Sequence, residues 1–389
     1  MYLERIYEKT VLESLKNFPV TAIVGPRQCG KSTLAQHAAL NYEKRIYLDL
    51  ERPSDLARLE NAEWFLSSQR DKLICLDEVQ RMPELFPLIR SLTDEWDKPG
   101  AFLLLGSASR DLLKQSSESL AGRIRYVRIA PFIWSELQGQ KGVTLEKYLS
   151  RGGFPRSMLA EDDVSYEWRQ SFISTFLERD LREWAGFAPL AMRRLWQMLA
   201  HHNGQTVNYS SLASSLDISA VSVKNYVDLL AGTFMLEVIP PWMSNIGKRL
   251  VKTPKIYLPD SGLLSTLLGL RSFEEIMGYP GFGALWEQTV LVNIRCLFPD
   301  AEIFHYRTSN GAECDFVVKL RNKIFAVECK SSPAPKLSRG NYGAFGDISP
   351  ERTFIVVPTG SSWPMKPGID VVVIGDLKTG IDSCFHRGG

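Results

Sequence analysis

The sequence has no pair of cysteines in C-x-x-C spacing; its six (Cys29, Cys75, Cys296, Cys314, Cys329 and Cys384) are scattered along the chain. That distribution argues against a zinc ribbon and against a disulfide framework, and a reducing cytoplasm is the expected setting. No apolar run approaches the roughly 20 residues that span a bilayer; Phe102-Leu103-Leu104-Leu105 is only strand-sized. The opening Met1-Tyr2-Leu3-Glu4-Arg5 has mixed charge and no apolar core, so neither a signal peptide nor a membrane partner is expected. Charge of one sign is also missing. Against 46 Lys and Arg stand 44 Asp and Glu, a net of +2, so any nucleic-acid contact has to come from a local patch. At 389 residues the chain exceeds one typical core, and two or three domains are expected.

What is present is a phosphate-binding loop. Gly25-Pro26-Arg27-Gln28-Cys29-Gly30-Lys31-Ser32-Thr33 fits G-x-x-x-x-G-K-[ST], in which main-chain N–H groups wrap a nucleotide's phosphates. Glycines permit the tight turn, and the N-terminus of the next helix adds partial positive charge. Lys31 is the candidate for the β- and γ-phosphates of ATP and Ser32 for Mg²⁺. The apolar run Val20 to Val24 reads as a buried strand before the loop, and Ser32 to Ala38 as a helix after it. Residues 1 to 17 read as an amphipathic helix.

Lys72-Leu73-Ile74-Cys75-Leu76-Asp77-Glu78 reads as a strand buried on both faces of a parallel sheet, with its acids at the carboxyl end where ligands of such sheets bind. Asp77 is expected to complete the Mg²⁺ shell and Glu78 to activate the attacking water. A further buried strand, 101 to 107, ends at Ser107, a candidate γ-phosphate sensor; the alternative is a plain N-cap for a helix from Ser109. Arg123 is a candidate arginine finger for a neighbouring subunit's nucleotide, or else a surface arginine on an edge strand.

These motifs, with Leu105-Gly106-Ser107-Ala108-Ser109 and Leu120-Ala121-Gly122-Arg123, resemble the prokaryotic AAA-type ATPases. The resemblance extends through Arg151-Gly152-Gly153-Phe154-Pro155, Glu178-Arg179-Asp180-Leu181 and Asp260-Ser261-Gly262-Leu263. It implies an α/β protein with a three-layer αβα ATPase core at 1–150, a helical lid and winged helix at 151–250, and a restriction-endonuclease-like α/β domain at 251–389. Homo-oligomers are expected, since Arg123 has an obvious use only in trans.

For the middle region the periodicity predicts helices over 163 to 184 and 189 to 201, then a helix-turn-helix between Thr206 and Leu230 followed by a wing strand at 234 to 238. The second helix offers only Lys224 and Asn225 toward base edges, less than a DNA-reading helix usually carries. Lys248, Arg249, Lys252 and Lys255 make a better phosphate patch, unless they are simply a solvated loop.

At the C-terminal end, residues 283 to 297 read as a helix carrying Glu287, and strands are expected at 302–307, 312–320, 323–330, 352–358 and 370–374. A two-residue turn at Arg321-Asn322 sets Asp315 opposite Glu328 and Glu313 opposite Lys330, with Cys314, Phe316, Val318, Phe325, Val327 and Cys329 on the other, apolar face. Two facing carboxylates repel unless a divalent cation sits between them, and Lys330 falls on the same side to act on metal-bound water. This arrangement resembles restriction-endonuclease sites, with Glu287 matching an additional helical acid, and the resemblance implies phosphodiester cleavage. The alternative is a retired nuclease fold whose charged cluster binds DNA or protein.

Overall fold

The computed structural model describes residues 2–107, 119–180, 188–243 and 251–386. The chain divides into two compact units, Met1–Phe132 with Gly232–Phe234, and Ile133–Ala231 with Met235–Gly389.

In the first unit five strands, β1 (Val20–Gly25), β2 (Arg45–Asp49), β3 (Leu73–Asp77), β4 (Phe102–Ser107) and β5 (Ile124–Arg128), form one parallel sheet in the order β2-β3-β4-β1-β5. Apolar residues on both faces of β1, β3 and β4 account for this arrangement, because a central parallel strand is covered on either side by helices. Val20, Ala22, Val24, Ile74, Leu76, Phe102 and Leu104 join the helix residues Phe86, Ile89 and Trp96 in one apolar core. The carboxyl ends of β1 and β3 therefore open on the same edge. The first helix is shorter than periodicity suggested, Glu8–Asn17. Arg5 explains the difference: its buried guanidinium donates to the carbonyls of Cys29 (3.0 Å), Ala130 (2.7 Å) and Pro131 (3.4 Å), which fixes residues before the helix against the loop.

The second unit has one large apolar core running from Leu149 to Ile381. Helix Asp162–Thr175 ends in a π-turn at Phe176–Asp180, and Trp184, expected on it, lies outside the described residues. Val164, an apolar residue of this helix, is exposed. Helices Tyr209–Leu216 and Ala220–Gly232 follow, the first capped by Asn208, whose Oδ1 accepts from Ser211 N at 3.1 Å. Strands β6 (Glu237–Ile239) and β7 (Lys255–Tyr257) then pair antiparallel.

A six-stranded mixed sheet completes the unit. Its strands are β8 (Glu302–Arg307), β9 (Glu313–Leu320), β10 (Lys323–Cys329), β11 (Arg352–Val357), β12 (Trp363–Lys366) and β13 (Ile369–Val373), in the order β12-β13-β11-β10-β9-β8. The β9–β10 register is the one the two-residue turn dictates, Lys323 opposite Leu320 and Val327 opposite Phe316. Strand β12 was not legible in the sequence: its residues are mostly exposed and carry no alternation.

Two sequence motifs meet in this unit. Asp260 is buried and accepts from Gly153 N (2.7 Å) and Leu263 N (2.8 Å), capping helix Ser261–Leu267. Gly262 lies so close to the preceding turn that an added Cβ would sit 2.4 Å from Arg151 O and 2.8 Å from Gly152 N. Both neighbours are backbone and cannot swing aside. Gly262→Ala is therefore expected to destabilise the second unit by about 3 kcal/mol or more, read as a lower urea midpoint; an unchanged midpoint would contradict this packing.

Candidate functional site

The phosphate loop turns at the end of β1. Gly25 is held by its neighbours: a Cβ there would lie 2.4 Å from Ile129 O, and Ile129 N is bonded to Val24 O at 2.8 Å. Gln28 takes φ +59° and Gly30 φ +99°, the second a conformation natural only to glycine. Helix Lys31–Ala39 starts immediately after. Lys31 is buried, with its ammonium donating to the carbonyls of Gly25 (3.2 Å) and Pro26 (2.8 Å). Cys29 is fully buried, and burial raises its thiol's pKa; Arg27 is partly exposed, and Gln28 and Thr33 are exposed.

Strand β3 carries Asp77 and Glu78 to the same edge. Asp77 is buried and accepts from Glu78 N at 3.0 Å. Glu78 takes φ +55° and receives a hydrogen bond from the Gln80 side chain. Sequence reasoning missed Tyr47 on β2. Its hydroxyl donates to Asp77 Oδ2, and the nearby Ser32 side chain acts on the same phenol. Burial first, then the Asp77 charge, raises the phenol's pKa, so the proton stays on it. The only signal available was position, since Tyr47 pairs with Cys75, two residues before Asp77.

Hard oxygen donors, Ser32 and Asp77, beside a loop of main-chain amides suit Mg²⁺ and a triphosphate. Ser107 pairs with Gly25 at the backbone level; its side chain, and Ser109, lie outside the described residues. Arg123 is elsewhere. It precedes β5 beside Val20, at the amino end of β1, about 17 Å of strand away from Gly25, and it forms a bidentate pair with Asp94 (2.5 and 2.9 Å).

The second unit gathers a different cluster. Lys255, expected in a basic surface patch, is buried. Its ammonium stands 3.0 Å from Glu313, 3.8 Å from Glu287 and 4.0 Å from Asp315. Lys252 is exposed, while Lys248 and Arg249 lie outside the described residues. Tyr257, two residues along the same strand, donates to Glu287 Oε2 at 2.8 Å. The expected pairing of Glu313 with Lys330 does not form. Between Val317 and Cys314 strand β9 holds one residue more than β8, a bulge that swings the end of the strand. Glu313 turns to Lys255 and Arg307, and Cys314 joins Tyr306, Val317 and Ala326 instead of Phe316. Asp315 Oδ2 accepts from Cys329 N at 2.8 Å.

Glu328 is buried, and its Oε1 accepts from Lys330 Nζ (2.6 Å) and Asn341 Nδ2 (2.8 Å). Its Oε2 is buried without a hydrogen-bond partner. Of the expected metal ligands, Glu287 and Asp315 thus share Lys255, and Glu328 is held by Lys330. Among the described residues, no group of three or more His, Cys, Asp or Glu side chains has the arrangement of a metal cage.

Burial, reinforced by the Asp315 charge, pushes Glu287 and Glu328 each up to about 8. Burial opposes the ionisation of Glu313 as well, but Lys255 and Arg307 hold it below the ordinary value. His305 Nε2 donates to Thr253 O at 3.0 Å, and burial, then Lys255, drives the imidazole down to about 4.

These shifts set a pH dependence. Glu287 keeps its proton in the fold up to about 8, whereas the unfolded chain loses it above roughly 4.3. The folded state holds more protons in that window, so stability falls as pH rises through it. His305 acts oppositely, its contribution being lost as pH falls from roughly 6.5 toward 4. Between pH 6.5 and 8 the raised carboxyls Glu287 and Glu328 set the sign. Melting temperature is expected to fall across that interval in the parent, and Glu287→Gln to flatten the slope; identical slopes would contradict the assignment.

Residues 17–138 match the AAA domain family, 143–274 a domain of unknown function (DUF8612) and 282–377 a second domain of unknown function (DUF4143). The chain is 36% identical over 368 residues to Uncharacterized protein Rv2008c of Mycobacterium tuberculosis and, at the same identity, to Uncharacterized protein Mb2031c of Mycobacterium bovis; the alignment covers 94% of this chain and 82% of each relative. Among solved structures, the Walker-type ATPase PABY2304 of Pyrococcus abyssi is similar at 16% identity and TM-score 0.48, over 69% of this chain and 96% of that one. A STAND-type signal transduction ATPase, PH0952 of Pyrococcus horikoshii, is similar at 15% identity and TM-score 0.31, over 76% and 47%. No helix among the described residues is long and apolar enough to cross a membrane. The chain belongs to the family of these two mycobacterial proteins, with an AAA-type P-loop ATPase domain followed by DUF8612 and DUF4143 regions.

Proposed function

We propose that the chain binds and hydrolyses ATP with Mg²⁺ and that turnover switches the state of its second unit. The carrying observation is the convergence of Lys31, Ser32, Asp77 and Glu78 at one edge of the parallel sheet. In this reading Gly25 to Thr33 wrap the phosphates, Lys31 exchanges its two loop carbonyls for phosphate oxygens, and Ser32 and Asp77 hold Mg²⁺. The metal supplies charge neutralisation on the phosphates. Glu78, oriented by Gln80, positions and deprotonates water; Ser107 is assigned to γ-phosphate sensing.

Arg123 lies too far along β1 to serve its own chain's loop, which favours use in trans within a homo-oligomer. Its pair with Asp94 must then open on assembly. The readings of 1–150 as ATPase core, 151–250 as lid and winged helix, and 251–389 as a restriction-endonuclease-like domain belong to the same proposal. The helix-turn-helix with its β6–β7 hairpin and the mixed sheet with Glu287, Asp315, Glu328 and Lys330 near one end support it.

Two outputs are compatible with that architecture: DNA processing or defence by phosphodiester cleavage, and a nucleotide-dependent binding switch without cleavage. Lys255 favours the switch, because an internal ammonium stands among carboxylates that cleavage would need for metal. Lys31→Ala is expected to lower steady-state ATP turnover more than tenfold with the fold retained. Unchanged phosphate release would refute the assignment of the loop.

A further inference from the structure

Three observations about the second unit's acidic pocket converge. Its cation comes from outside the sheet that supplies its acids: Lys255 lies on β7, in the DUF8612 region, whereas Glu313 and Asp315 lie on β9 and Glu287 on helix Phe282–Leu297, in the DUF4143 region. Lys255 and Tyr257 share one face of β7 by the two-residue period of a strand, and both side chains enter the pocket, one against Glu313, Glu287 and Asp315, the other against Glu287. Glu328, within charge reach of Asp315, has a cation of its own, its Oε1 accepting from Lys330 and Asn341.

We propose that the Lys255 ammonium is a built-in cation that takes the place of a divalent metal ion in this pocket, leaving the site charge-compensated without metal. A Mg²⁺ ion needs about six oxygens at roughly 2.1 Å. An ammonium instead donates along three directions to oxygens at hydrogen-bond distance, which matches the 3.0 Å contact to Glu313 and the looser 3.8 and 4.0 Å contacts. Two cations cannot share the space, since like charges this close repel strongly away from bulk water. Lys255 also costs nothing in binding entropy, being tethered to a strand. Its removal would leave Glu287, Glu313 and Asp315 as oxygen donors without their tethered cation, and a divalent ion then becomes the natural replacement. This inference deepens the non-cleaving half of the proposed function and is independent of the ATP site.

The test uses the full, nucleotide-free chain titrated with Mn²⁺, bound ion being counted by the loss of its free paramagnetic resonance signal. The parent and Lys255→Arg, which keeps the charge, are expected to bind no Mn²⁺ that Asp315→Asn removes. Lys255→Met is expected to bind about one additional ion per chain and to lose it when Asp315→Asn is added. At a metal concentration roughly 100-fold above its dissociation constant, Mn²⁺ should raise the Lys255→Met melting temperature by about 5 °C or more and leave the parent unmoved. If Lys255→Met is unfolded alone, Mn²⁺ should restore cooperative melting. Parent binding that Asp315→Asn abolishes would overturn the proposal, as would a Lys255→Met chain that gains no ion or stays unfolded at every Mn²⁺ concentration. Because no nucleotide is present, failure here leaves the ATPase reading untouched.

Discussion

A turn of main chain held open at the carboxyl end of β1 is the constraint on which the first unit is built. Main-chain amides can converge on an anion only if no side chain fills the turn and if the backbone behind it cannot relax. Gly30 meets the first condition with φ +99°. Gly25 meets the second, pressed against Ile129 O with no room for a Cβ. Arg5 reinforces it by tying Cys29 O to the carbonyls of Ala130 and Pro131 with one buried guanidinium. The sheet order follows the same need, since β4 between β1 and β3 sets the acids of β3 across from the loop.

At each acidic site the central buried groups are matched by a charge or a donor. In the first unit Lys31 satisfies itself on loop carbonyls, and Tyr47 donates to Asp77. Both arrangements are exchangeable: phosphate can replace carbonyls around an ammonium, and a hydroxyl can yield to a metal. In the second unit the exchange is blocked covalently, because the cation among Glu287, Glu313 and Asp315 is itself a side chain. The two acidic clusters thus differ in whether their counter-ion can leave.

The ATPase unit was largely legible in the sequence because its signals are local. A glycine loop between an apolar strand and a helix, and an apolar strand ending in Asp77-Glu78, each fit within ten residues. The β9–β10 register was legible for the same reason, fixed by the turn at Arg321, which takes φ +54°. What failed was non-local. The bulge in β9 that redirects Glu313 and Cys314 has no sequence marker, since Glu-Cys-Asp-Phe alternates acceptably without it. Lys255 looked like a surface cation among Lys248, Arg249 and Lys252, and only the pairing of β7 with β6 brings it inside. Tyr47 and Arg5 act across 30 and 24 residues of chain, respectively. Periodicity carries no information at such separations.

Nucleotide-driven switching requires the loop at Gly25 to Thr33 to form a pocket for a triphosphate and its metal. Isothermal calorimetry of the folded full chain with ATP and Mg²⁺ measures this directly. Saturable heat with about one nucleotide per chain, absent when Mg²⁺ and the triphosphate are replaced by adenosine alone, is the expected result. A folded chain that gives no saturable response to ATP with Mg²⁺ would contradict it.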